Sequence, residues 1–241
     1  MTKNLTSPTI KEEEKLLEYF NAGDYKVAEI LANEITVKYP NNPFGWRILG
    51  AVFAMVGKFE DSLSASQKLI DLAPNLPSSH INMGGSYQAL GKLQESEKCY
   101  RYAVNLEKNN LSANLNLGII LLKLNRKRES EEFLKRVIEI DNNNFSAHYY
   151  LGDIFRELRK NDKAIKSYRR ALSINPNHAQ TYANLGTVLI NSSNFEEAEK
   201  NCQKAILLNP NLSLAFFNLG NIYQNKKKFN KAKQSYENAL R

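Results

Sequence analysis

Apolar and small residues return along this chain in two successive helical stripes, and the pair of stripes repeats every 34 residues. Gly50, Gly84, Gly118, Gly152, Gly186 and Gly220 stand at that constant spacing, six of the eleven glycines in one register. Each follows a leucine or methionine (Leu49, Met83, Leu117, Leu151, Leu185, Leu219) and precedes by three residues Phe53, Tyr87, Leu121, Phe155, Leu189 or Tyr223. With the glycine at position 8 of a repeat, positions 4, 7, 8 and 11 lie on one side of a helix. Position 4 carries Trp46, His80, Asn114, His148, Tyr182 and Phe216. A second helix is marked by Ser62, Ser96, Ser130, Ala164, Ala198 and Ala232 at position 20. It continues through Leu69, Ala103, Val137, Ala171, Ala205 and Ala239 at position 27. Pro74, Pro176 and Pro210 end it at position 32, because proline has no N–H to continue the ladder.

The pattern predicts a tail over residues 1–8 and an array over 9–241, with repeats starting at Thr9, Pro43, Pro77, Leu111, Phe145, Ala179 and Ser213. The first repeat is degenerate: Leu16 replaces the glycine, while Gly23, Tyr25, Ala28 and Pro40 keep register. The fourth is loosened at Asn125 and Lys127. The seventh stops at Arg241 inside its second helix, without the polar cap that usually closes such arrays. A piece of a longer protein is therefore expected, with an apolar side of the last hairpin open to self-association.

These marks, aromatic 4, Leu 7, Gly 8, Tyr 11, Ala 20, Ala 27 and Pro 32, resemble the tetratricopeptide repeat over nearly the whole chain. The resemblance implies an all-α, right-handed superhelix (solenoid) of about seven helical hairpins. Small residues at 8 and 20 would let paired helices approach closely, so a side chain larger than serine at Gly84 or Ala198 is expected to cost ~1–3 kcal/mol. The resemblance also implies that positions 2, 5, 6, 9, 12 and 13 of each first helix line a concave groove.

Position 6 of that groove reads Ile48, Asn82, Asn116, Tyr150, Asn184, Asn218. Asparagine is a poor residue for a helix interior, so four in one register ask for a reason. Its amide offers a paired donor and acceptor, as a peptide unit does, and a column of amides would hold the backbone of an extended peptide. The other reading is solvated polar surface, in a chain that also carries Asn142, Asn143 and Asn144 in a loop. Asn-Leu-Gly at Asn116, Asn184 and Asn218 is similar to the repeats of the O-linked N-acetylglucosamine transferase family, whose inner surface bears an asparagine ladder. Ile48 and Tyr150 divide the ladder here into two stretches. Phe44, Tyr149, Tyr150 and Phe217 add aromatic groups to the groove, and Arg47 a charge. The two-carboxylate clamp of chaperone-binding members is matched by Arg47 and Asn82 but not by Ala51, Ser112 or Asn116.

Composition narrows the function classes. The chain is 42% apolar and 24% charged, with no run long enough to span a bilayer. The segment up to Glu14 is neither a signal nor a transit peptide, so a cytoplasmic protein is expected. A charge of +8 and a pI near 9.3 admit an acidic or nucleic-acid partner. Basic clusters at Arg126–Lys127–Arg128, Arg159–Lys160–Lys163 and Lys226–Lys227–Lys228 would align along one edge. No aromatic residues interleave with them for base stacking, and Glu129, Glu131 and Glu132 offset one cluster, which argues against nucleic acid. Cys99 and Cys202 fall three repeats apart, too far for a bridge.

His80, His148 and His178 lack acidic or cysteine neighbours at metal-ligand spacing, and no phosphate loop or nucleophile elbow occurs. No enzyme activity, cofactor or metal is expected of this chain. The expected function is a protein–protein interaction scaffold that binds an extended peptide segment in the concave groove. The alternative is the recognition or oligomerisation arm of a larger bacterial enzyme, a glycosyltransferase, sulfotransferase or oxygenase. For that alternative, Phe44-Gly45-Trp46 and Leu49-Gly50-Ala51-Val52 look like the opening of bacterial multidomain proteins.

Overall fold

Thr9 opens the first helix with a reciprocal cap: its hydroxyl accepts from the Glu12 N–H, and the Glu12 carboxylate accepts from the Thr9 N–H at 2.8 Å. The computed structural model describes residues 7–240. Among them are fourteen helices and no strands. They run α1 (Ile10–Ala22), α2 (Tyr25–Lys38), α3 (Pro43–Met55), α4 (Phe59–Leu72), α5 (Pro77–Ala89), α6 (Leu93–Leu106) and α7 (Leu111–Lys123). Then follow α8 (Lys127–Ile140), α9 (Phe145–Glu157), α10 (Asn161–Ile174), α11 (Ala179–Asn191), α12 (Phe195–Leu208), α13 (Ser213–Asn225) and α14 (Phe229–Ala239). Most of the expected tail, and the chain end at Arg241, lie outside the described residues. Ser7 is held by the Asn42 amide, which donates to its hydroxyl at 3.2 Å.

The chain divides into two compact units, Met1–Arg126 and Lys127–Arg241. The division falls inside the fourth repeat, next to Asn125 and Lys127, where the sequence departs from its own pattern. The N-terminal unit holds α1–α7 and the C-terminal unit α8–α14.

In several repeats position 8 is small because position 24 is large, although Gly50 faces only the small Ser66. A Cβ built on Gly84 would lie 2.7 Å from the Tyr100 ring, and one on Gly152 would lie 2.5 Å from Tyr168. Cys202 fills the same place against Gly186. In the first repeat the sizes are exchanged: Leu16 sits at position 8 and Ala32 at 24, both fully buried in one core cluster. The degenerate repeat thus keeps the volume of the pair while reversing its members. The serines at position 20 also close the hairpin chemically, since Ser62 and Ser96 donate to the carbonyls of Gly50 and Gly84 at 2.7 and 2.8 Å.

Position 4 has a role beyond packing. Trp46 Nε1 donates to Pro40 O at 2.9 Å, and Asn114 Nδ2 to Lys108 O at 2.9 Å. His80 and His148 place Nε2 3.0 and 3.1 Å from Pro74 O and Asn142 O. Each carbonyl belongs to position 32 of the preceding repeat and can only accept, so these side chains tie the loop between hairpins to the next first helix. Asn42, Asn110 and Asn144, all at position 34, accept from the first backbone N–H groups of the helices they precede. Part of the chain's asparagine is therefore capping chemistry.

Every first helix ends in a left-handed residue at position 15: Gly23, Gly57 and Gly91, then Asn125, Arg159, Ser193 and Lys227 with φ of 56–60°. The next N–H reaches back to position 11, as Lys160 does to Phe155 O at 2.8 Å and Lys228 to Tyr223 O at 2.8 Å. Arg159 and Lys227 are exposed and bear a Cβ in a conformation that glycine tolerates better. Arg159→Gly and Lys227→Gly are each expected to raise stability by ~0.5–1 kcal/mol, seen as a higher urea midpoint at unchanged slope.

Within each unit the hairpins stack so that first helices meet. In the N-terminal unit α3 touches α5 and α5 touches α7; in the C-terminal unit α9 touches α11 and α11 touches α13. Second helices pack instead on the next first helix, α4 on α5, α6 on α7, α10 on α11 and α12 on α13. First helices therefore form the inner side of each unit.

Candidate functional site

The seam between each first helix and the preceding hairpin decides which side chains face the inner side. It is made by position 3 (Gly45, Ser79, Ala113, Ala147, Thr181, Ala215) and position 10 (Val52, Ser86, Ile120, Ile154, Val188, Ile222), all buried. Position 6 lies between them on the same side of the helix, against the preceding repeat. The expectation that position 6 is open groove surface is corrected for Ile48, Asn184 and Asn218 alone. Ile48 and Asn184 are each 6% exposed and Asn218 2%, while Asn82, Asn116 and Tyr150 are half-buried.

The four asparagines differ in what they hold. Asn218 Nδ2 donates to Ala183 O at 3.0 Å and to Thr187 Oγ1 at 2.9 Å. Asn184 Nδ2 donates to Asp153 Oδ1 at 2.9 Å, and its Oδ1 accepts from Gln180 Nε2 at 2.9 Å. Asn82 makes one longer bond, to Arg47 O at 3.3 Å. The Asn116 amide has no hydrogen bond within the described residues.

Position 9 of the preceding repeat explains the difference. It is Asp153 or Thr187 below the committed amides, and Ala51 or Gly85 below the freer ones, where no side-chain acceptor exists.

In the N-terminal unit, Asn82 and Asn116 are flanked by half-buried Ile81, Leu115 and Ile119 at positions 5 and 9. The Arg47 guanidinium lies 5.5 Å from the Phe44 ring centroid, a cation–π contact that holds it beside α3. The structure thus brings Phe44, Arg47 and Asn82 together, with Asn116 one helix further on.

In the C-terminal unit, Tyr149 and Tyr150 meet edge to face at 5.2 Å, and Tyr149 also packs against Phe145 and His178. Beneath them Asp153 accepts from the Tyr168 hydroxyl at 2.6 Å as well as from Asn184, with the Arg156 Nη2 at 3.6 Å. Burial raises the Asp153 carboxyl above its ordinary value, although these donors oppose it. Burial likewise pushes the Tyr149 phenol up to about 12. Phe217 stands apart from this cluster: it is 50% exposed, 5.9 Å from the Tyr236 ring, on the rim of a pocket at the end of the unit.

The basic clusters are partly neutralised. Lys127 pairs with Glu157 at 2.8 Å, Lys226 with Glu199 at 2.7 Å, and Arg126 with Glu97 at 2.6 Å. Lys163 lies over the Phe155 ring. Burial lowers the His148 imidazole, consistent with a neutral ring held by Asn142 O. Among the described residues, no three His, Cys, Asp or Glu side chains are placed to hold a metal, and no helix is long and apolar enough to cross a membrane.

The seam at positions 3 and 10 and the pairing of position 6 with position 9 were missed by reading each helix alone. Their signal is present in the sequence as a small residue at 3 and mostly β-branched residues at 10, repeated every 34 residues.

Family models described as TPR repeat and tetratricopeptide repeat match residues 77–110, 111–144, 152–192, 179–212 and 201–234. Among curated proteins there is no match. Solved structures match widely. Cut9 of the APC/C Cut9–Hcn1 hetero-tetramer structure aligns with a TM-score of 0.78 at 18% identity, over 97% of this chain and 46% of that one. PilF of Pseudomonas aeruginosa aligns at 0.72 and 14% identity, over 80% and 88%. YrrB, described as a TPR protein with an unusual peptide-binding site, aligns at 0.64 and 20% identity, over 82% and 97%. At these identities the likeness is one of fold.

Proposed function

Since this chain carries tetratricopeptide repeats, we propose that it is a protein-interaction scaffold whose N-terminal unit binds an extended partner segment along α3, α5 and α7. The observation that carries this reading is the absence of a side-chain acceptor at Ala51 and Gly85. It leaves Asn116 unbonded and Asn82 with one bond, so both amides can meet a peptide backbone. Ile81, Leu115 and Ile119 offer apolar contact to the segment's side chains, and Arg47 favours an acidic group near its end over α3. Tyr149 and Tyr150 are the corresponding contacts proposed for the C-terminal unit. Asn184 and Asn218 hold the stack rather than the ligand. The description of YrrB as peptide-binding supports the same class of function for a chain of this fold.

Two amides at ~0.5–1.5 kcal/mol per hydrogen bond predict a loss of ~10-fold or more in affinity when both are removed. The test is a displayed random-peptide library, followed by fluorescence anisotropy on the enriched peptides. Asn82→Ala/Asn116→Ala is expected to weaken those peptides without moving the unfolding midpoint. A library that enriches nothing, or a double variant with full affinity, would falsify the reading.

A further inference from the structure

The formal charge of this chain is not spread evenly. Residues 127–241 carry 19 lysines and arginines against 12 aspartates and glutamates, whereas residues 1–126 carry 14 against 13, so nearly all of the +8 belongs to the C-terminal unit. On the outer side of that unit α8 and α10 both pack on α9, and the three helices enclose an open cleft of about 470 Å3. Ile138 of α8 with Leu151 and Phe155 of α9 give the cleft an apolar floor. Lys135 of α8 with Lys166 and Arg170 of α10 give it a basic rim.

The three cations are not equally committed. Lys135 is answered by Glu131 at 2.7 Å. Arg170 is half-buried and held by neutral acceptors: its Nη2 donates to Asn143 Oδ1 at 2.7 Å and to Asn142 O at 3.3 Å. Among the described residues no carboxylate pairs with Arg170 or with the exposed Lys166. Neutral acceptors fix the guanidinium in place and leave its charge available to a carboxylate.

The repeat pattern sets this cleft apart. Its cations stand at position 25 of one repeat and at positions 22 and 26 of the next. The same places hold Asn33, Ser64 and Lys68 at the first seam, Gln67, Lys98 and Tyr102 at the second, and Gln203, Gln234 and Asn238 at the last. One other seam is basic at all three, with Arg169, Lys200 and Lys204, and there Glu197 answers Arg169 at 2.7 Å.

A ligand that fits has to bring negative charge and an apolar group together. A nucleic-acid backbone supplies the charge and leaves the floor of Ile138 and Leu151 unused. A free small molecule would stand half in water here, whereas small-molecule sites bury ~70–90% of their ligand. We propose that the outer cleft between α8 and α10 docks an acidic segment of a partner protein, its carboxylates on Arg170 and Lys166 and one apolar side chain on the floor. The net charge of the unit draws such a segment in, so binding weakens as salt is added. This site is separate from the α3–α7 surface and stands whether or not that surface binds a peptide.

Calorimetric titration of the full chain with three peptides blocked at both ends tests the proposal. Glu-Glu-Phe-Glu-Glu is expected to bind at least ~10-fold more tightly than hexaglutamate, which lacks the apolar group, or Gln-Gln-Phe-Gln-Gln, which lacks the charge. Lys166→Glu reverses an exposed charge, so it should leave the circular dichroism unchanged while weakening the first peptide by ~10-fold or more. Lys228→Glu makes the same change at the exposed turn before α14 and is expected to weaken it by no more than ~3-fold. Asn82→Ala/Asn116→Ala is expected to leave it unchanged. Four results would each overturn the proposal: no binding of Glu-Glu-Phe-Glu-Glu at about 1 mM, equal binding of hexaglutamate, an equal loss in Lys228→Glu and Lys166→Glu, or displacement of the peptide by equimolar oligothymidylate.

Discussion

Gly84→Leu is expected to destabilise the chain by ~3 kcal/mol or more, and shortening Tyr100 to alanine in the same molecule is expected to restore most of that loss. The ring of Tyr100 lies directly over the Gly84 Cα, with ring carbons 2.7, 2.9 and 3.0 Å from where a Cβ would be. Both helices are fixed there, since Ser96 donates to Gly84 O and holds α6 against α5. A leucine therefore has to displace the ring or part the helices. Tyr100→Ala alone opens a cavity in place of a side chain only 2% exposed and should cost ~3–5 kcal/mol. Together the two changes recreate the Leu16–Ala32 pair of the first repeat, where both partners are fully buried. A double-mutant cycle in urea is expected to give a favourable coupling of ~3 kcal/mol or more, far above the error of such cycles. A coupling near zero would mean that position 24 does not determine what position 8 can hold.

The same pair shows how far the sequence alone could be read. First helices begin at Pro43, Pro77, Leu111, Phe145, Ala179 and Ser213, the residues at which the repeats were placed, because the Gly 8 register and the position-34 caps are local signals. The exchange of Leu16 with Ala32 was not legible, since the glycine pattern records only one member of a contact made across sixteen residues.

The burial of Ile48, Asn184 and Asn218 at position 6 was not legible for a related reason. Sorting one helix into a core side and an opposite side assumes two environments. Each interior first helix has three: its own second helix, the preceding hairpin, and the inner surface. Positions 3, 6 and 10 belong to the second of these. Whether an asparagine there is a ligand contact or a stitch depends on position 9, in this chain 31 residues earlier, a pairing that only the stack of hairpins reveals.

That dependence predicts a graded series for Asn→Ala along the column. Asn218→Ala removes both donor bonds of an amide 2% exposed, leaving Thr187 and Ala183 O without it, at a cost of ~1–3 kcal/mol. Asn184→Ala takes a donor from the half-buried Asp153 carboxylate and should cost ~1.5–3 kcal/mol, since hydrogen bonds to charged groups are the stronger kind. Asn116→Ala should change stability by no more than ~0.5 kcal/mol.

The Asn184 variant also carries a signature in pH. Burial already raises the folded-state pKa of Asp153, so the fold favours its ionised form less than the unfolded chain does. That term leaves the fold most stable below the unfolded-state carboxyl pKa and weakens it as pH rises through the raised folded value. Losing the Asn184 donor raises the folded value further, because the amide bonds the charged form better than the neutral one. The penalty of Asn184→Ala is therefore expected to be larger at pH 7 than at pH 3, whereas that of Asn218→Ala, whose acceptors are neutral, stays level. Urea midpoints at the two pH values read the difference directly. Equal penalties at both would show that Asp153 does not depend on Asn184, and the division of the column into stitches and free amides would lose its physical basis.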